Sequence, residues 1–135
     1  MSADWQADVA EFMRAMAQAV PAKPTIVDGP THDLRLALIE EELDELREAM
    51  DAERMVGIAD ALVDLLYVTI GTACAYGLDL APIWDAVQAA NMAKVGGPVR
   101  DDGKRLKPPG WQPPDVEREL RAQGWNPHEW SGGAA

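Results

Sequence analysis

The chain has 135 residues, 47% of them hydrophobic and 26% charged, which fits one soluble globular domain around a single core and excludes disordered and collagen-like organisation. A formal charge of −11 repels a phosphate backbone and speaks against duplex nucleic acid as a partner. The charge is unevenly spread: eight of the 23 acids lie between Glu40 and Glu53, and five of the 12 basic residues between Lys94 and Lys107, a distribution that suggests a metal site and a separate place for anions. The longest apolar run, Leu62 to Tyr76, carries Asp64 and small polar residues, so it reads as a core helix rather than a membrane span. The start, MSADWQADVAEF, lacks the basic and apolar regions of a signal peptide. The one cysteine, Cys74, has no internal disulfide partner, and a cytoplasmic location without membrane association is expected.

In chain order, Asp4 to Val20 predicts an amphipathic helix with Trp5, Val9, Phe12, Met13 and Met16 at helical spacing. Pro21 to Pro30, with three prolines and a glycine, predicts an irregular connector. A second helix is expected from Thr31 as N-cap, with Leu36, Ile39, Leu43, Leu46 and Met50 as its apolar seam. At about 100° per residue, Glu41, Glu42 and Glu45 border that seam, whereas Glu40, Asp44 and Glu48 point to solvent. A third helix, roughly Val56 to Tyr76, is apolar on nearly every face and so is expected to be buried on most of them. Asp60, Asp64, Tyr67 and Gly71 form one stripe along it. After Gly77 as a stop, Asp79 caps a fourth helix with Pro82 in its first turn; it runs to about Lys94 with Ile83, Val87, Asn91 and Lys94 inward. A Pro- and Gly-rich basic segment follows, then a short helix from about Pro114 to Gln123. Residues 1–123 thus make one domain and 124–135 a loosely held tail. No strand-like alternation occurs, and an all-α four-helix bundle with an irregular C-terminal segment is the expected fold.

An acid-rich helix face is commonly no more than solvated surface. Asp60 and Asp64 change that reading, because carboxylates in an apolar helix cost several kcal/mol each unless paired or bound to a metal, and no lysine or arginine lies on the same helix. Oxygen ligands from two antiparallel helices suit a hard divalent cation such as Mg²⁺, and a carboxylate site without His or Cys suits phosphate chemistry. Lys94, Arg100, Lys104, Arg105 and Lys107 are the candidates for holding phosphate oxygens, or else form a solvated loop. His32 and His128 have no partner at ligand spacing and read as structural or surface residues. No P-loop, dinucleotide fingerprint or nucleophile elbow is present. The tryptophans at 5, 84, 111, 125 and 130 read as packing residues, with Trp111 able to flank a base.

Glu41-Glu42-x-x-Glu45 followed by Asp64 resembles the EExxE…ExxD pattern of the all-α nucleoside triphosphate pyrophosphohydrolases, the MazG-like and phosphoribosyl-ATP-pyrophosphatase-like proteins. Ala61 stands where that pattern has its glutamate, and Asp60, on the same stripe, is the residue that could replace it. The likeness spans roughly Glu11 to Val116. DLLYVTIG from Asp64, NMAK from Asn91 and DGKRLKPPGW from Asp102 are similar to a branch with dimeric dUTPase-like and phage-encoded members. The resemblance implies hydrolysis of a (d)NTP to the monophosphate and pyrophosphate with two or three Mg²⁺ or Mn²⁺ ions. It implies Glu42 as general base, Glu41, Glu42, Glu45, Asp60 and Asp64 as metal ligands, and Asn91, Lys94, Lys104, Lys107 and Tyr67 as substrate contacts. It further implies a homodimer or homotetramer. dGTP or GTP in nucleotide-pool control is the favoured substrate, with dUTP or dUDP as the alternative. A non-catalytic helical partner-binding module and a nucleotide-binding adaptor are the rivals from other classes.

Overall fold

The computed structural model describes residues 4–129 and is built of five helices. They are α1 (Trp5–Ala15), α2 (Gly29–Asp51), α3 (Met55–Ala75), α4 (Leu80–Met92) and α5 (Val116–Ala122). No strand occurs among the described residues; a lone antiparallel bridge joins Val99 to Arg105. The expected all-α fold is therefore the observed one. The tail from Trp130 lies outside the described residues, whereas its described part turns back, with Glu129 3.6 Å from the Lys23 ammonium.

Helix α1 opens on Asp4, whose carboxylate accepts from the Ala7 amide at 3.0 Å, a side-chain cap for an otherwise orphaned donor. It ends earlier than its apolar spacing predicts, at Ala15, because Ala17 takes a positive φ of 56°. Val9, Ala10 and Met13 are buried, but Trp5, Phe12 and Met16 of the predicted face are exposed. The buried residues of α1 meet Ile70, Cys74 and Ala75 of α3, with Val20, Val27 and Leu80 packed around them. Small side chains on α3 let the helices approach closely.

The connector after α1 is tied to the turn after α3. Pro24 is buried, the Thr25 amide donates to the Tyr76 carbonyl at 2.9 Å, and Lys23 lies against Gly77, which has φ +67°. A Cβ at Gly77 would collide with the Lys23 carbonyl in a backbone conformation that L-residues avoid. Gly77→Ala is expected to lower unfolding free energy by at least about 2 kcal/mol, measurable by urea denaturation. On the other side of the same turn Gln6 donates to the Leu78 carbonyl (2.6 Å) and accepts from the Leu80 amide (2.9 Å), fixing the start of α4 to α1.

The N-cap of helix α2 lies three residues before the expected one. Asp28, not Thr31, is the N-cap: its carboxylate accepts from the Thr31 amide at 2.7 Å, and Pro30 takes a first-turn position that requires no donor. The inward face matches the predicted seam only in part. Leu46 is buried and Ile39 and Leu43 are half-buried, whereas Leu36 and Met50 are exposed and Arg35 and Ala49 are buried instead. Glycines on α3 explain the rotation. Gly71 receives the Arg35 guanidinium, and a Cβ on Gly57 would sit 3.3 Å from that of Ala49, so close approach rather than apolar count sets the contact line.

Helices α2 and α3 form the long antiparallel pair that dominates the fold, joined by a turn in which Glu53 has φ 52°. α3 is long and apolar enough, by length and composition, to cross a membrane (mean hydropathy 1.6), although Asp60 and Asp64 lie within it. It is not buried on most faces within the chain: Leu62, Val63 and Leu66 are 51%, 61% and 40% exposed. α4 starts at Asp79 and has Pro82 in its first turn as expected, stops at Met92, and packs with α5. The α5 cap is Asp115, and Gln123 holds the α4 start by exchanging two hydrogen bonds of 2.9 Å with the Asp79 backbone.

Candidate metal centre

The α2–α3 register brings the acids together. From the Arg35–Gly71 contact, two turns along α2 reach Glu42 and two turns back along α3 reach Asp64; two further turns bring Ala49 beside Gly57. Glu42 and Asp64 therefore share one level, and Glu45, a turn beyond Glu42 on the same face, joins them. One carboxylate oxygen from each of the three lies within 4.8 Å of the others, Glu42 and Asp64 half-buried and Glu45 exposed.

Three carboxylates this close repel one another, and no salt bridge to any of them is present among the described residues. The strain is visible at Glu42. Its carboxyl is pushed above the usual carboxylate range, first by burial, then by the charges of Glu45 and Asp64, by hydrogen bonding of its protonated form to Glu45, and by Glu41. Its Oε2 is shielded from solvent and has no hydrogen-bond partner. An orphaned acceptor in an all-oxygen set without a counter-charge is what a hard divalent cation satisfies. The donor set fits Mg²⁺ or Mn²⁺ and lacks the sulfur or imidazole of a structural zinc site.

The raised value has a sign. Folding strengthens proton binding at Glu42, so the stabilising contribution of this group is fully present below the unfolded carboxylate pKa. It is lost as pH rises through the higher folded value. In EDTA at neutral pH the wild type is expected to melt below Glu42→Gln, and the difference to shrink as pH falls toward the ordinary carboxylate range. Thermal melts of the two proteins across that window check it.

The other expected ligands lie apart from the triad. Glu41 is exposed and reaches Glu42 only through its charge. Asp60 is exposed one turn earlier on α3 and outside the cluster, so the expected burial of both aspartates is met by Asp64 alone, and only in part. Ala61 is 4% exposed and fills an inward position with a methyl group. Tyr67 is at the surface, its ring edge-on to Phe12 at 5.8 Å.

The basic residues form a second centre at the end of α4. The Trp111 indole donates to the Ala90 carbonyl at 2.7 Å, which fixes the ring. The Lys94 and Lys107 ammoniums lie 5.1 Å and 4.7 Å from its centroid. Lys94 also donates to the Asn91 side-chain carbonyl at 3.0 Å. Neither lysine has a carboxylate partner among the described residues, and both remain available to an anion. Lys104 sits apart in the tight turn closed by the Val99–Arg105 bridge, where Asp102 pairs with Arg100. No hydrogen bond or ion pair joins the acidic and basic centres among the described residues. The His32 ring lies 3.0 Å from the carboxylate of its neighbour Asp33, and both the His32 side chain and His128 are at the surface.

The inward Arg35 and the close helix contacts at Gly57 and Gly71 do not follow from the apolar pattern. The signal was present as two matching seven-residue ladders, Arg35–Glu42–Ala49 on α2 and Gly57–Asp64–Gly71 on α3, in which only the middle rung carries acids.

The family model for phosphoribosyl-ATP pyrophosphohydrolase matches residues 9–91, from α1 to the end of α4. The match includes the triad and Asn91 and stops before Lys94, Lys104 and Lys107. No curated protein matches the chain. The chain belongs to the phosphoribosyl-ATP pyrophosphohydrolase family, nucleotide pyrophosphohydrolases of the MazG-like all-α superfamily that act on phosphorus anhydrides.

Proposed function

We propose that this member of the family hydrolyses a (d)NTP to the monophosphate and pyrophosphate, with dGTP or GTP as the substrate, in control of a cytoplasmic nucleotide pool. The orphaned Glu42 Oε2 inside a triad of acids carries the reading, because it marks a place for a divalent ion where phosphate chemistry is wanted. Glu42, Glu45 and Asp64 would hold the first ion. Glu41 and Asp60, exposed on either helix beside them, are assigned to further ions. When bound, Mg²⁺ or Mn²⁺ supplies neutralisation of the phosphate charge and a more acidic water.

Glu42 takes the proton from the attacking water. The water oxygen bonds to the α-phosphorus, the α–β bridging bond breaks, and pyrophosphate leaves with the electron pair. Lys94 and Lys107, steadied on Trp111, hold phosphate oxygens; Asn91 orients Lys94. Lys104 and Tyr67 are assigned to outer contacts with substrate. The exposed apolar residues of α3 and Trp84, 70% exposed on α4, support assembly as a homodimer or homotetramer.

The experiment is a panel of ribo- and deoxyribonucleoside triphosphates with Mg²⁺ and pyrophosphate detection. Guanine nucleotides are expected to turn over fastest. A preference for dUTP would move the assignment to the dUTPase-like reading, and no turnover with saturable nucleotide binding would move it to an adaptor.

A further inference from the structure

Arg35 is the one buried charged side chain among the described residues, 7% exposed, and it has no carboxylate partner there. Its Nε donates to Thr72 Oγ1 at 3.2 Å and its Nη2 to the Val68 carbonyl at 3.0 Å. That carbonyl also accepts from Thr72 Oγ1 at 2.8 Å. Gly71 provides the space, since any Cβ there would strike the guanidinium. Burial pulls the guanidinium below its ordinary range, yet an arginine remains charged. For packing alone, an apolar side chain of similar length would serve as well or better, because a buried charge bonded only to neutral groups recovers little of its desolvation cost.

The placement of Arg35 gives it another use. It grips α3 at Val68, one turn beyond Asp64, and stands two turns before Glu42 on α2. On the far side of the acids, Ala49 against Gly57 closes the interhelical distance. The three acids therefore lie between a hydrogen-bonded clamp and a steric one. We infer that Arg35 is a positioning residue for the metal centre. Its fork, seated on Gly71 and bonded to Val68 and Thr72, sets the height and spacing at which Glu42 and Glu45 face Asp64. This rests on the triad being a metal centre.

The test uses Mn²⁺ alone as the probe, by isothermal titration calorimetry on the full chain, alongside melting in EDTA. Arg35→Met keeps the length and apolar stem while removing fork and charge. It is expected to melt at or above the wild-type temperature in EDTA and to bind Mn²⁺ about 10–100-fold more weakly. Thr72→Val removes one of the two bonds at constant shape and is expected to weaken Mn²⁺ binding in the same direction and by less. A folded Arg35→Met with wild-type Mn²⁺ affinity overturns the inference, as does a lowered melting temperature with affinity unchanged, which would make Arg35 a fold anchor only. Should Arg35→Met not fold, wild-type affinity in Thr72→Val overturns it. Absence of saturable Mn²⁺ binding by the wild type overturns the metal centre together with this inference, whereas wild-type binding left intact in the variants overturns the role of Arg35 alone.

Discussion

Replacing Glu42 with glutamine is expected to lower pyrophosphate release by about 10³-fold, the scale on which removal of a positioned general base acts. The amide cannot accept the proton from water, and it presents a neutral oxygen where the triad presents a charged one. The loss falls on turnover, because Glu45 and Asp64 remain to hold an ion and Lys94 and Lys107 to hold phosphate. The same substitution relieves three-way repulsion at a shielded site, so an inactive protein that is more stable without metal is the expected pairing. Steady-state kinetics with matched melts measure both. Wild-type turnover in this variant would remove Glu42 from its role, and a collapse in stability would mean that its carboxylate is already partnered.

The second large effect is expected at the basic centre. Lys94→Met and Lys107→Met should each reduce kcat/KM by about 10–100-fold, the worth of a charge-assisted hydrogen bond to a phosphate oxygen. Neither ammonium is bonded to an acid among the described residues, and an exposed contact with an indole face contributes only about 0.5–1 kcal/mol. Folding should accordingly change little in either variant. The fixed Trp111 ring, bonded to the Ala90 carbonyl, makes the two lysines neighbours, so the double variant should lose less than the product of the single losses. Full activity in both would make the basic segment a solvated loop.

The helices were legible from residue type because their signals are local: Asp79 before Pro82 for α4, and apolar spacing for α1 to α3. Boundaries shifted where a local competitor was stronger. Asp28 with Pro30 outbids Thr31 as the start of α2, and the positive φ at Ala17 ends α1 early. The orientation of α2 was harder to read. Counting apolar residues selected Leu36 and Met50, but the helix turns to put Arg35 and Ala49 against glycines. An inward arginine is invisible to a hydrophobic pattern. On α3, an apolar surface on all sides implied burial, and composition cannot say whether the cover comes from the same chain; Leu62, Val63 and Leu66 are left exposed by it. The centre was legible in part. Glu42, Glu45 and Asp64 come together because helical spacing and antiparallel register both favour them, whereas Asp60 shares the Asp64 stripe but is exposed and stays outside the cluster.

The most direct test is ³¹P NMR of dGTP incubated with the protein and Mg²⁺, with an EDTA control. Growth of the pyrophosphate signal in step with dGMP, abolished by EDTA and without orthophosphate or dGDP, is the expected result. Orthophosphate with dGDP, or pyrophosphate release that persists in EDTA, would overturn metal-dependent cleavage between the α- and β-phosphates at the Glu42, Glu45 and Asp64 centre.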